Sequence, residues 1–350
     1  MILNLIFVSS LAAVLGGLYI WGFRCLGSER WQFVGTIPTV KDRDGNWHGI
    51  NLTYYGLFNA NACLLAVLMV YLLLAASGLA LPAIHALIAV TLLFCVPAAK
   101  LVARWVEKKA HTFSIGGAAF VGLVLTPWLM VGLNRLLAWR AMAPVPVMPV
   151  LAVIAIAYAL GEGCGRLACI SFGCCYGRPL DQFPAVLRGW LKPLSITYYG
   201  KTKKIAYAGR LDHQPVVAVQ AITDVLFTVI GLIGVLFFLQ EYVRTAYLLA
   251  VCGTQMWRFA SEFIRADYRG GGRISAYQIM ALAAIIYAIG LCMLLDLPPV
   301  ATDISIGLRL LWSPGIILTC QVLWIGIFLF MGRSQVTGAR ISFHVRKDRI

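Results

Sequence analysis

Nine separate runs of apolar residues, each about as long as a bilayer is thick, constrain this chain more than any other feature. They cover roughly residues 3–23, 54–77, 81–101, 113–136, 147–169, 216–239, 245–264, 274–295 and 310–331. A helix rises about 1.5 Å per residue, so roughly 20 apolar residues cross a hydrocarbon core of ~30 Å. Nine such runs in 350 residues leave no large soluble domain. Composition agrees: 61% of residues are hydrophobic and only 12% charged, where a soluble domain carries about 25% charged residues. The fold expected is all-α, a polytopic helical membrane protein. The first run has no basic residues ahead of it and no small-residue cleavage site before Cys25, so it reads as a retained helix.

The net charge of +15 comes from Lys and Arg that lie between the apolar runs. There they meet lipid phosphates, which makes the membrane the partner and excludes nucleic acid. With nine spans the connecting segments alternate sides. The side that carries residues 177–215 and the C-terminal tail is far more basic than the other, whose cations are Arg135, Arg140, Arg244 and Arg309. The positive-inside rule puts the basic side in the cytoplasm.

Three polar segments separate the runs. Residues 28–51 combine the turn signal Asp44-Gly45-Asn46 with Trp31, Phe33 and Trp47, the mark of an ordered interfacial segment. Residues 177–215 interleave Arg178, Arg188, Lys192, Lys201, Lys203, Lys204 and Arg210 with aromatic side chains. The tail from Gly332 is basic and poorly patterned, so a mobile end is expected there.

Ionisable groups at the ends of apolar runs are costly and mark function by default. Two clusters stand out. One is Gly161-Glu162-Gly163-Cys164-Gly165-Arg166, leading to Gly173-Cys174-Cys175-Tyr176-Gly177; the other holds Arg258, Glu262 and Arg265. Arg258 and Glu262 are four apart and share a helix face, as do Glu162 and Arg166. Guanidinium groups near a membrane interface suit a phospholipid phosphate, which they grip in a fork. Snorkelling salt bridges and small-residue helix packing account for the same residues without a ligand. His111, beside Lys108 and Lys109, is a candidate general base or an interfacial histidine. Asp224 has no partner visible in sequence. Cys164, Cys169, Cys174 and Cys175 have spacing unlike the usual zinc pairs and read as packing residues, with no metal and no cofactor expected.

The run from Gly165 to Gly177 resembles the G-R-I-G-N-F-I-N-G-E-x-W/Y-G signature of the prolipoprotein diacylglyceryl transferase family. Trp257 to Arg265 is similar to that family's R-F-x-x-E-F-x-R, with Ser275 and Gln278 opening the next helix as they do there. Tyr55-Gly56-Leu57 resembles its Y-G-L, Ser114 to Gly117 its S-F-H-G-G region, and His213 to Gln220 its H-P-S-Q-L-Y-E. Order and spacing agree from about residue 52 to 296.

The resemblance implies a seven-helix enzyme of the bacterial inner membrane, with a polar head between its fourth and fifth helices on the periplasmic side. The chain then divides into an extra N-terminal helix and interfacial segment (1–51), a transferase-like core (52–296) with its head at 177–215, and an extra C-terminal helix with a basic tail (297–350). The implied reaction moves a diacylglyceryl group from phosphatidylglycerol to the cysteine of a prolipoprotein or to another acceptor. Arg166, Arg258, Glu262 and His111 would be catalytic. Arg166, Arg258, Arg265, Tyr55, Gly116, Gly117 and Gln278 would bind the anionic phospholipid, and Glu262 would orient Arg258. Several family positions differ: Cys169 stands for an Asn, Cys174 for an acid, Ile115 for a His, Val217 for a Gln and Gln220 for a Glu. These losses favour a second reading, a lipid-binding or partner-assembling protein on the same fold.

Overall fold

The computed structural model describes residues 1–106, 115–139, 143–267 and 274–350. Nine long helices dominate it: α1 (Ile2–Cys25), α2 (Tyr54–Ala76), α3 (Leu81–Val106), α4 (Ile115–Trp139), α5 (Val147–Phe172), α8 (Val219–Leu239), α9 (Val243–Ser261), α10 (Ala276–Leu294) and α12 (Pro314–Gly332). Three short helices complete the set: α6 (Ala185–Leu191), α7 (Lys204–Tyr207) and α11 (Ile304–Leu311). Eight of the long helices are long and apolar enough to cross a membrane. The exception, α9, has the length, but Arg244, Thr254, Gln255 and Arg258 lower its hydropathy. It is held against α5, α8 and α10. A polar helix crosses a bilayer when its polar face looks into the bundle.

The central element is α5, which packs against α1, α2, α4, α8 and α9 and is buried along almost its whole length. Its glycines permit this. A Cβ on Gly161 would stand 2.9 Å from the Ala66 Cβ of α2, and one on Gly163 would stand 3.0 Å from Thr228 Oγ1 of α8. Close approach through small residues is how helices associate in lipid, where burial of apolar surface gives no advantage.

Contacts at the two ends establish the alternation of connections. At one end Asn4 Nδ2 and Thr302 Oγ1 both donate to Leu239 O, at 3.3 and 3.1 Å, and the Asp303 amide donates to Ala76 O at 2.9 Å. At the other, Ser171 Oγ donates to Trp31 O, and Gln32 exchanges hydrogen bonds with Thr202. The head, the segment after α1, the C-terminal end of α9 and the tail share that end, since Arg265 bridges to Gly177 and Arg333–Ile341 pairs with Trp47–Thr53.

The outer parts of the chain hold more structure than their sequence suggests. Residues 28–51 contribute a hairpin of β1 (Phe33–Lys41) and β2 (Trp47–Thr53). The Asp42 amide donates to Asn46 O, the Asn46 amide donates to Asp42 Oδ1, and Gly45 takes φ +88° at the turn. The tail is not a mobile end. Its residues Arg333–Ile341 form β5, antiparallel to β2, in a sheet of order β1-β2-β5. A ready-made edge on β2 explains the pairing, because cross-strand hydrogen bonds form whatever the side-chain pattern. The helix leading to this strand, α12, docks on α2. Thr53 Oγ1 donates to Gly332 O at 3.0 Å, Trp324 Nε1 donates to Asn61 Oδ1 at 2.7 Å, and a side chain on Gly56 would collide with Gly332.

The head contains α6, α7 and a small antiparallel pair, β3 (Ser195–Thr197) with β4 (Pro215–Val217). Val186, Leu187 and Trp190 of α6 point outward, as an interfacial helix does. Lys203 is fully buried and clamps the head to the bundle, donating to Leu26 O at 3.1 Å and Ser171 O at 2.6 Å. Burial lowers its ammonium to about 8 from 10.5, with Glu29 partly opposing. Across that interval the folded protein holds fewer protons than the unfolded chain, so stability should rise with pH, by roughly 3 kcal/mol at most. Thermal unfolding in detergent at pH 7.5 and 9.5 measures this. The expected rise is absent in Lys203→Met, and an equal rise in both proteins would remove Lys203 as its source.

Candidate active site

Tyr158, Glu162 and Arg166 follow one another at four-residue spacing on α5, so all three lie on one helix face. Opposite them stands Arg258, in the last turn of α9. The Glu162 carboxylate serves both arginines. Its Oε1 accepts from Arg166 Nη2 and, at 3.4 Å, from Arg258 Nη1, which also donates to Tyr158 OH at 2.8 Å. The side chains are 1% exposed for Glu162, 10% for Arg166 and 12% for Arg258, so water screens little of this charge.

The cluster carries two positive charges against one negative, a surplus of one unit that suits a single anion. It also holds polar atoms with no partner among the described residues. Glu162 Oε2 and Arg166 Nε are buried and unpaired, as are both oxygens of the fully buried Asp224 on α8. Buried polar groups are normally satisfied, so orphans beside a charge cluster mark a place where a ligand or water completes the set.

Gly116, in the first turn of α4, lies against the guanidinium of Arg258. A Cβ there would overlap Nη2 and stand 2.8 Å from Cζ. Gly117 faces the other way in function: a Cβ there would collide with Val102 of α3, so this glycine lets α3 and α4 pack closely.

The remaining residues singled out in the sequence fall in three places. Tyr55, in the first turn of α2, packs its ring 5.5 Å from that of Phe172 at the end of α5. Arg265 forms a two-pronged ion pair with Asp267, Nε to Oδ1 at 2.8 Å and Nη2 to Oδ2 at 3.0 Å, and its backbone bridges to Gly177 at the entrance to the head. Gln278 is spent on structure. Its Oε1 accepts from the Ser275 amide in a capping box, and its Nε2 donates to Phe259 O, which ties α10 to α9. His111 lies outside the described residues. Glu262 caps the end of α9, while the carboxylate on Arg258 is Glu162 of α5.

Other positions where this chain departs from the family signature are also accounted for. Gln220 Nε2 donates to Cys174 O at 2.7 Å and to Tyr198 OH at 3.0 Å, which holds the turn after α5. Val217 sits in β4. His213 is solvated, its side chain 69% exposed beside Asp212. A cleft of about 450 Å³ at the opposite end of the bundle, between α2 and α11, is lined by apolar side chains with Arg309. It lies far from the paired charges and does not compete as the site.

The family model of prolipoprotein diacylglyceryl transferases matches residues 46–294, which include α2 to α10 and every residue of the cluster. Among curated proteins nothing matches the chain.

Proposed function

The chain belongs to the prolipoprotein diacylglyceryl transferase family, and from that premise we propose that it binds phosphatidylglycerol at the Arg166–Glu162–Arg258 cluster and transfers the diacylglyceryl group to a thiol acceptor. By resemblance the acceptor is the lipobox cysteine of a prolipoprotein. The observation that carries the reading is the convergence of two buried arginines, from two helices, on one carboxylate. A scaffold has no need of so costly an arrangement in a bilayer.

The acceptor sulfur attacks the glyceryl carbon next to the phosphate. A carbon–sulfur bond forms, and the carbon–oxygen bond to phosphate breaks. The oxygen keeps the electron pair and leaves as glycerol phosphate, whose phosphate gains a negative charge during the step. Arg166 and Arg258 stabilise that developing charge, and a dry, preorganised pair does so better than water. The thiol proton passes to a base. We assign that role to His111, on the segment leading into α4, because imidazole titrates near neutral pH.

The test is incubation of the purified protein in phosphatidylglycerol micelles with a lipobox-cysteine peptide, followed by mass spectrometry. A diacylglyceryl mass increase supports the reading. A protein that retains the lipid intact and leaves the peptide unmodified supports the second one, a lipid-binding or partner-assembling protein. Gln220, locked into a turn where a carboxylate is expected, favours that alternative.

Within the same assay Gly116→Ala should slow transfer on the order of a hundred-fold, the cost of displacing a catalytic group by about 1 Å. An unchanged rate would separate the Gly116 position from the chemistry.

We place the protein in the bacterial inner membrane with its head toward the periplasm. This follows the resemblance against the charge bias, the basic end being balanced by anionic lipid heads. A membrane-impermeant thiol reagent should label Trp190→Cys on intact spheroplasts above the wild-type background. Labelling confined to inverted vesicles would put the head in the cytoplasm.

A further inference from the structure

The sulfurs of Cys169, Cys174 and Cys175 lie within 4.8 Å of one another, although the sequence reads as packing cysteines without a metal. Three features of the fold assemble them. Cys169 occupies the last turn of α5, and the helix ends on Gly173 at φ +71°. The amides of Gly173 and Cys174 both donate to Cys169 O, at 2.9 and 3.0 Å, and so fold the chain back over that residue. Cys175 then takes φ +58°, a left-handed conformation that glycine adopts freely and a cysteine does not. Strain of this kind persists where the side chain it aims has a use.

We propose that these three thiols form a binding site for a soft monovalent cation, copper(I), in three-coordinate thiolate geometry. Three sulfurs at ~2.3 Å from one centre stand about 4 Å apart, close to the spacing present. Thiolates select copper(I) and zinc among biological cations. Zinc takes four ligands in structural sites, whereas among the described residues the group contains these three alone; Cys164 and His213 are not part of it. On binding, the three thiols release their protons to solvent and the complex carries a charge of −2. The charges of Arg166, Arg265 and Lys204 all reach these sulfurs and offset it. Loaded, the site sets negative charge beside Arg166 and opposes binding of a lipid phosphate. That consequence rests on the proposed function; metal binding does not.

The test uses the full-length protein in detergent, reduced and anaerobic, titrated with copper(I) against a chromophoric chelator. The wild type should take up one equivalent that C169S/C174S/C175S loses and C292S keeps. Equal copper in the wild type and the triple variant would overturn the proposal, as would zinc occupying the site while copper(I) fails to displace it. A second arm, independent of the triple variant's fold, needs no mutation: copper(I) should protect these three cysteines of the wild type from alkylation, read by peptide mass spectrometry. Equal alkylation of these cysteines with and without copper(I) rejects the metal site. Transfer activity is not a readout in either arm.

Discussion

Arg258→Ala should lower diacylglyceryl transfer by roughly 10²–10³-fold, the usual cost of removing one preorganised donor from a site where charge develops. Under the proposed function Arg258 is the group assigned to the transition state. It reaches across from α9 to Tyr158 and Glu162, and Gly116 of α4 lies against its guanidinium where a side chain would displace it. A guanidinium held in this way presents several parallel donors to phosphate, so Arg258→Lys should restore little: an ammonium has the charge but not the fork. Turnover of the lipobox peptide by mass spectrometry gives the number, and a melting curve for each variant shows whether the fold survived. Full activity in either variant would sink the assignment of Arg258.

Glu162→Ala should destabilise the protein by about 3–5 kcal/mol, because it leaves two buried guanidiniums facing each other without the carboxylate that both contact. Glu162→Gln separates shape from charge. It keeps the side chain's volume and a hydrogen-bonding oxygen but raises the cluster's surplus from one positive charge to two, and activity should fall more than the melting temperature does. The decisive comparison is with Glu262→Gln. Spacing along α9 made Glu262 the partner of Arg258; the fold supplies Glu162. A larger loss of activity in Glu262→Gln than in Glu162→Gln would restore the assignment from spacing.

That reversal illustrates which information a single sequence holds. Local relations were legible. The apolar runs gave the helices, and the i, i+4 pair of Glu162 with Arg166 is present. The pair Ser275 and Gln278 opens α10 as the resemblance implied, with Gln278 serving the cap. Among the described residues the carboxylate on Arg258 is Glu162, although Glu262 keeps helical torsions at the end of α9. The true pair, Arg258 with Glu162, spans 96 residues and depends on how α9 packs on α5. No periodicity carries that. Tyr158 was missed as well, though its four-residue step from Glu162 was a usable signal. The strand β5 escaped notice for a different reason: an edge strand with mostly exposed side chains has no burial pattern to read, and its order comes from the β2 backbone.

The sheet order β1-β2-β5 has a consequence for synthesis. β2 sits in the middle of the sheet, between a strand made before it and one made almost 300 residues later by chain order, after every helix has been translated. Throughout elongation one edge of β2 remains open at the membrane surface, a template for pairing with another chain. The strand β5 closes that edge and, through Gly332 against Gly56, latches α12 onto α2. Closure of the fold thus waits on synthesis of residues 333–341, and a nascent protein cut short before residue 333 carries an unpaired strand edge.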